Sequence, residues 1–171
     1  MADLLAHPAG RAEPTTTGYG QAYNVAALFD ARHPEAALAL VRRYWGSMLE
    51  RGATTFWESF DPEEDRVTEL DLYGRRYGVS RCHGWSGAIA GTLASHVLGA
   101  SIREPGARRV ALRPQLGNLA WAEGAIPTPV GMLRVRWTTA GSRLEIPAGM
   151  RVDVTWRERT LELGAGSHVL S

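Results

Sequence analysis

One carboxylate in this chain lies among aromatic residues, in a pattern that suits chemistry on sugars. The segment 52–61 reads Gly-Ala-Thr-Thr-Phe-Trp-Glu-Ser-Phe-Asp, and the aromatic residues around Glu58 are Phe56, Trp57 and Phe60. Aromatic faces stack on the apolar faces of sugar rings, and a neighbouring carboxylate can activate a water or bind a hydroxyl. Two interpretations follow: a catalytic carboxylate in a sugar-sized cleft, or an acid at the edge of the surface.

A second group of reactive residue types follows at 82–88. Residues 84–88 read Gly-Trp-Ser-Gly-Ala, close to the Gly-x-Ser-x-Gly turn of nucleophilic serines, but the last residue is Ala and no strand precedes it. The single cysteine, Cys82, is adjacent to His83, and a lone Cys there is more typical of packing than of a reactive thiol. Glu58, Asp61 and His83 match no metal-binding spacing, so neither a metal nor a cofactor is predicted.

The composition is that of a globular protein with no strong charge bias. The 171 residues are 44% hydrophobic and 22% charged, with a net charge of +1. This balance predicts no general attraction to nucleic acid or to an acidic membrane, and no apolar run is long enough for a transmembrane helix. Residues 1–14 lack the basic segment and apolar block of a secretory signal. A cytoplasmic location is therefore expected, unless the chain has lost an upstream signal.

The elements that must position these residues change in type near residue 100. Before it, apolar residues recur at helical spacing and predict helices over residues 19–29, 37–49 and 85–98. Pro34 suits the first turn of the second helix, while Gly52 and Gly99 follow the second and third. The intervening segment 53–82 is a long loop, and long loops within compact domains are usually functional.

After residue 100 the apolar residues alternate. This period of two predicts short strands over residues 109–113, 119–124, 132–137, 142–146 and 151–156, separated by Gly and Pro turns. Such strands are typical of an antiparallel β-sandwich. The predicted fold class is α+β, with a flexible tail over 1–14, a helical segment over 15–100 and a C-terminal β-sandwich domain over 101–171.

An ordered series of short motifs covers more than a hundred residues. Together they resemble the C-terminal part of bacterial α-L-rhamnosidases of the six-hairpin glycosidase type, whereas any one alone would be weak. In chain order the motifs are Arg42-Arg43-Tyr44-Trp45, Gly52 to Glu58, Cys82-His83-Gly84-Trp85-Ser86, Val97-Leu98-Gly99, Arg103-Glu104-Pro105-Gly106, Pro114-Gln115, Trp121-Ala122-Glu123-Gly124, Pro127-Thr128-Pro129 and Gly131.

The resemblance implies an (α/α)6 barrel followed by a β-sandwich, and a role for each matching residue. It implies that Glu58 is the general base of an inverting glycoside hydrolase, that His83 lines the sugar pocket, and that Trp57 and Trp85 are aromatic walls. An inverting enzyme also needs a general acid. The family's acid lies upstream of the matching segment, and the acidic residues 61–65 are more typical of a solvated turn. The isolated chain is therefore expected to be inactive.

The implied partners are a rhamnoside or another carbohydrate, together with the remaining barrel. If the helices are the end of a larger barrel, they should expose apolar faces to a barrel chain or to a second copy of this one. The residues expected on those faces are Tyr23, Phe29, Tyr44, Trp45, Gly87 and Gly91. The alternative is a non-catalytic remnant that binds carbohydrate or stabilises a partner chain, with its helices docked on the β domain.

Overall fold

A computed structural model describes residues 17–63, 79–157 and 159–171. The tail predicted over 1–14 and half of the long loop, residues 64–78 with Glu64 and Asp65, fall outside this range. The helical elements are α1 (Gly18–Asp30), α2 (Pro34–Val41), a π-helical turn (Arg42–Gly46), α3 (Ser47–Glu50), a 3-10 turn (Gly84–Gly87) and α4 (Ala88–His96).

The helix boundaries follow local chemistry. The hydroxyl of Thr17 accepts a hydrogen bond from the Gly20 amide at 3.3 Å and caps α1. Pro34 occupies the first turn of α2, and Gly52 adopts φ +82° just after α3. The helix predicted over 37–49 is continuous, but the π-helical turn Arg42–Gly46 interrupts its α-helical geometry. The extra residue in that turn changes which side chains face the core.

The C-terminal half consists of two four-stranded sheets. The first sheet has the order β1-β2-β6-β7 and the second the order β3-β4-β5-β8. The strands are β1 (Ala100–Ile102), β2 (Arg109–Leu112), β3 (Trp121–Thr128), β4 (Gly131–Thr138), β5 (Ser142–Ile146), β6 (Arg151–Trp156), β7 (Arg159–Leu163) and β8 (Gly166–Leu170). The predicted α+β class is therefore confirmed.

Alternation sets which face of each sheet is buried. In β4, Leu133, Val135 and Trp137 are fully buried, while the arginines between them point outward. One pair of strands departs from the predicted antiparallel arrangement: β2 and β6 run parallel, with Val110 opposite Val152. After β2 the chain forms β3, β4 and β5 in the second sheet. It then returns to the first sheet, where β6 runs in the same direction as β2.

The helices pack directly on the sandwich, and the two halves share one hydrophobic core. The Trp137 indole donates to the Leu98 carbonyl at 3.1 Å. Gly124 leaves room for Leu98, because a Cβ at Gly124 would lie 2.3 Å from a Leu98 methyl. These contacts fix the end of the helical half against the second sheet.

Three aromatic residues expected on exposed barrel faces are instead buried. Phe29, Tyr44 and Trp45 have exposures of 0%, 1% and 6%. The loop after α3 folds back over them, so that the Phe60 ring lies 5.8 Å from the Tyr44 ring. Burial raises the pKa of the Tyr44 phenol well above its ordinary value. The expectation that these three rings face a partner is therefore wrong.

The other residues of that expected surface are open or lightly covered. Tyr23 is exposed, and a Cβ at Gly91 would meet no atom within 4 Å. Gly87 lies against the Phe56 ring, since a Cβ added at Gly87 would be 3.3 Å from a carbon of that ring. In the described ranges, no helix is long and apolar enough to cross a membrane.

Candidate active site

The two ends of the long loop pair with each other and bring the candidate residues together. The His83 amide donates to the Phe56 carbonyl at 2.8 Å, and the Glu58 amide donates to the Ser80 carbonyl at 2.9 Å. The Thr55 hydroxyl donates to the Arg81 carbonyl. This pairing places Glu58 beside His83, although 24 residues separate them in sequence.

The Glu58 carboxylate is held at one of its two oxygens. Oε2 accepts a hydrogen bond from the Ser80 amide at 2.8 Å and lies 3.8 Å from Nδ1 of His83. The side chains of Glu58 and His83 are 18% and 25% exposed, so both are reachable from solvent. Oε1 has no hydrogen-bond partner among the described residues. A water or a hydroxyl at Oε1 would therefore meet an oriented acceptor.

The backbone of Glu58 is fixed by the N-terminus of α1 and by the turn before α4. Its carbonyl accepts from the Gly18 amide at 3.1 Å and from the Ser86 hydroxyl at 3.5 Å. Ser86 is fully buried, and its own carbonyl accepts from the Trp45 indole at 3.2 Å. Ser86 therefore supports the Glu58 backbone and is not an exposed nucleophile.

Exposed aromatic rings extend from His83 along the surface. The Trp85 ring lies 5.8 Å from the His83 ring and 5.4 Å from the Tyr19 ring. Tyr19 in turn contacts Tyr23 edge to face at 4.9 Å, and their hydroxyls are 3.1 Å apart. That hydrogen bond raises the pKa of Tyr19. With Trp85 at 68% exposure, these rings offer a platform for an apolar or sugar surface.

Trp57 does not belong to this platform. It is 6% exposed, its ring packs against Phe60 at 5.7 Å, and the Arg81 guanidinium covers it at 5.7 Å from the centroid. Successive side chains of an extended segment point to opposite sides, so Glu58 faces outward where Trp57 faces the core. The structure does not support Trp57 as an aromatic wall.

The nearby acidic residues have local partners. Asp61 accepts from the Glu63 amide at 2.9 Å, and the Glu63 carboxylate pairs with Arg43 at 2.8 Å. This arrangement is that of the solvated turn expected from the sequence. Across the described part of the chain, no three His, Cys, Asp or Glu side chains lie close enough to hold a metal ion.

Sequence reasoning missed Ser80, Tyr19 and the supporting role of Ser86. Ser80 acts through its backbone amide. Every residue except proline has such an amide, so the residue type gives no signal. Tyr19 and Tyr23 are four residues apart in α1 and so share one face of the helix, a spacing that would have identified the pair.

Comparison with known proteins identifies the family of the chain. The family model for the bacterial alpha-L-rhamnosidase 6 hairpin glycosidase domain matches residues 7–97, and that for the bacterial alpha-L-rhamnosidase C-terminal domain matches residues 99–170. An alpha-L-rhamnosidase of Alteromonas sp. (strain LOR) is 31% identical over 113 residues, which are 65% of this chain and 12% of that protein.

Solved structures give the same result. A GH78 family rhamnosidase of Bacillus sp. GL1 is 33% identical with a TM-score of 0.67, over 83% of this chain and 15% of the other. The alpha-L-rhamnosidase of Streptomyces avermitilis, solved with L-rhamnose, has a TM-score of 0.71 at 21% identity, over 88% of this chain and 17% of the other.

The chain thus spans 12% of the curated relative and less than a fifth of the length of these two solved ones. One family model covers more than half of its residues, and a second covers the sandwich. The chain belongs to the bacterial α-L-rhamnosidase family, and its residues match both the six-hairpin glycosidase domain and the C-terminal domain of that family.

Proposed function

We propose that this chain supplies the general base and part of the sugar pocket of an inverting α-L-rhamnosidase. The observation that carries the proposal is the Glu58 carboxylate, which is held at Oε2 by the Ser80 amide, adjoins His83, and has no partner at Oε1 among the described residues. His83 and Trp85 then contact the sugar. Trp57, which is buried, supports the segment and does not touch substrate.

The proposed reaction divides between this chain and residues outside it. Glu58 removes a proton from a water, whose oxygen bonds to the anomeric carbon as the glycosidic carbon–oxygen bond breaks. The leaving oxygen takes a proton from a carboxylic acid about 6.5–9.5 Å from Glu58, the separation that leaves room for the water. In this proposal the acid belongs to the barrel outside this chain, so the isolated chain has negligible activity.

A chimaera tests this division. The corresponding segment of the Bacillus sp. GL1 rhamnosidase is replaced by this chain, and hydrolysis of an aryl α-L-rhamnoside is measured. Loss of general-base assistance typically costs about 10²–10⁴-fold in rate, so Glu58→Gln should lower kcat by that order. Azide should restore leaving-group release to Glu58→Ala, because a small anion can replace the missing base and water.

Glu63→Gln is the matched control, because it removes a carboxylate from the same loop at an exposed position. It should leave kcat unchanged. Full activity of the Glu58→Gln chimaera would contradict the proposed role, as would hydrolysis by the isolated chain that survives Glu58→Gln.

A second candidate function is a non-catalytic domain that binds carbohydrate or stabilises a partner. The burial of Phe29, Tyr44 and Trp45 within this chain favours it, because the helices complete their core on the sandwich. Sedimentation distinguishes the two functions. A stable monomer that binds no barrel fragment supports this second function, whereas association through the exposed Tyr23, Leu49 and Trp85 supports the first.

A further inference from the structure

A separate cavity lies where the helices meet the sandwich. It has a volume of about 330 Å³ and is formed by the C-terminal ends of α1 and α4, by β1 and by the segment after β2. It shares no residue with the Glu58 site. The side chains that matter for its chemistry are Asp30, Arg32, His96, Arg103, Arg113 and Gln115.

The cavity carries an excess of positive charge. Arg32, Arg103 and Arg113 all line it, and none of them forms an ion pair with a carboxylate among the described residues. The Asp30 carboxylate opposes them, and each helix C-terminus contributes roughly half a negative charge. Arg103 also interacts electrostatically with the Asp153 carboxylate. The positive charge that remains favours an anionic ligand.

Asp30, the acidic residue of the cavity, is already paired with His96. Nε2 of His96 lies 3.1 Å from the Asp30 carboxylate, and its Nδ1 lies 2.8 Å from the Ser95 hydroxyl. The His96 ring also stacks on Phe29 at 5.1 Å. These contacts fix His96 as part of the wall and leave the arginines as the groups that meet a ligand.

Gln115 adds an unused acceptor. Its Oε1 is buried and has no hydrogen-bond partner within the described part of the chain, a state that costs free energy unless something donates to it. The last torsion of a Gln side chain is broad, and binding requires a rotation about it that brings this oxygen to the cavity. A hydroxyl of a ligand would satisfy it.

Arg32 is held in an unusual backbone conformation. It adopts φ +64° directly after α1, at a position where glycine is less strained. This residue closes the C-terminus of α1, where the His33 amide donates to the Leu28 carbonyl at 2.8 Å. Its side chain lines the cavity.

We propose that this cavity binds a hydroxylated carboxylate of monosaccharide size, such as a uronic acid. The guanidinium groups of Arg103 and Arg113 receive the carboxylate, because their fork of N–H donors matches its two oxygens. A ring hydroxyl donates to Gln115. The volume falls within the range of small-ligand sites.

Titration of the 171-residue chain with sodium glucuronate tests the proposal. Calorimetry gives the affinity, and the imidazole NMR signals of His96 report whether the ligand enters this cavity. Arg103→Gln and Arg113→Gln should each weaken binding about tenfold or more, since each removes charge-assisted hydrogen bonds. Both residues are exposed, so both variants should retain the wild-type circular dichroism.

Arg143→Gln is the matched control, because it removes the same charge from an exposed position in β5. It should bind glucuronate with wild-type affinity. Three results would overturn the proposal: no binding at millimolar glucuronate, equal binding of neutral glucose, or equal loss in the Arg143→Gln control. Tighter binding of inorganic phosphate than of glucuronate would also overturn it, since hydroxyl recognition would then play no part.

Discussion

Each half of this molecule contains one tryptophan whose setting is the opposite of its counterpart's in the other half. In the sandwich, Trp137 is fully buried, stacks on Trp156 at 5.3 Å and donates to the Leu98 carbonyl. In the helical half, Trp85 is 68% exposed and contacts the His83 and Tyr19 rings at the surface. Trp137 therefore serves stability, whereas Trp85 lies where a ligand or partner can reach it.

The largest expected effect comes from truncating these two tryptophans. Trp137→Ala should lower the free energy of unfolding by about 3–5 kcal/mol, the usual cost of deleting a large buried ring. Trp85→Ala should cost less than about 1 kcal/mol, because it removes an exposed side chain. Urea denaturation followed by circular dichroism measures both. Similar losses in the two variants would contradict the distinction between the two tryptophans.

A second prediction compares two glycines within the helical half. A Cβ at Gly18 would lie 2.6 Å from Ser86, so Gly18→Ala should destabilise by about 1–3 kcal/mol, as overpacking does. It should also disturb Glu58, whose carbonyl accepts from the Gly18 amide. Gly91→Ala is the control: its Cβ meets open space within α4, and it should stabilise by about 0.5–1 kcal/mol.

Thermal unfolding measures both glycine variants, and the His83 imidazole NMR signals report on the geometry beside Glu58. A Gly18→Ala variant with wild-type stability and unchanged His83 signals would contradict this prediction. It would show that Ser86 can shift to accommodate the added methyl group without disturbing the site.

The smallest expected effect concerns an ion pair in the sandwich. Arg109 donates two hydrogen bonds to Asp153, at 2.7 and 2.9 Å, and this lowers the pKa of the Asp153 carboxyl. A lowered folded-state pKa stabilises the protein above the ordinary value of about 3.9, and this stabilisation is lost as the pH falls through the folded-state pKa. The pair is partly exposed, so the effect is small.

Asp153→Asn should therefore be less stable than the wild type near neutral pH, and the difference should shrink in acid. Unfolding by urea at a series of pH values measures this. Glu145→Gln is the comparison variant. The Glu145 carboxylate lies 3.8 Å from Arg134 and does not accept two hydrogen bonds from it, so this variant should change the pH dependence of stability less than Asp153→Asn does. A constant difference between Asp153→Asn and wild type from neutral pH to strong acid would contradict the assignment.

Sequence reasoning worked where one physical signal dominated. Alternation identified β4 and β5 because each has one buried face, and Gly99 marked the end of the helices because its φ of +79° suits glycine. The strands β1, β7 and β8 were not predicted. β1 has three residues, and β7 and β8 bury little, so neither length nor alternation identifies them.

The candidate site was predicted in part. The proximity of Glu58 and His83 is confirmed, and it came from the resemblance, because nothing in the spacing of two residues across a long loop shows that they meet. The segment around Trp57 pairs with Ser80 to His83, and this pairing determines which of its side chains face inward. The burial of Trp57 could be predicted only if that pairing were known. The π-helical turn that buries Tyr44 and Trp45 had no sequence signal.

The parallel pairing of β2 with β6 has a consequence for how the chain folds during synthesis. The first sheet cannot form beyond β1 and β2 until Trp156 has emerged from the ribosome, because β2 needs β6 as its neighbour. Until then the helices, which are made before the strands, lack one of the two sheets that share their core. A nascent chain that stalls before residue 151 would keep apolar surface uncovered and would be a target for chaperones and proteases.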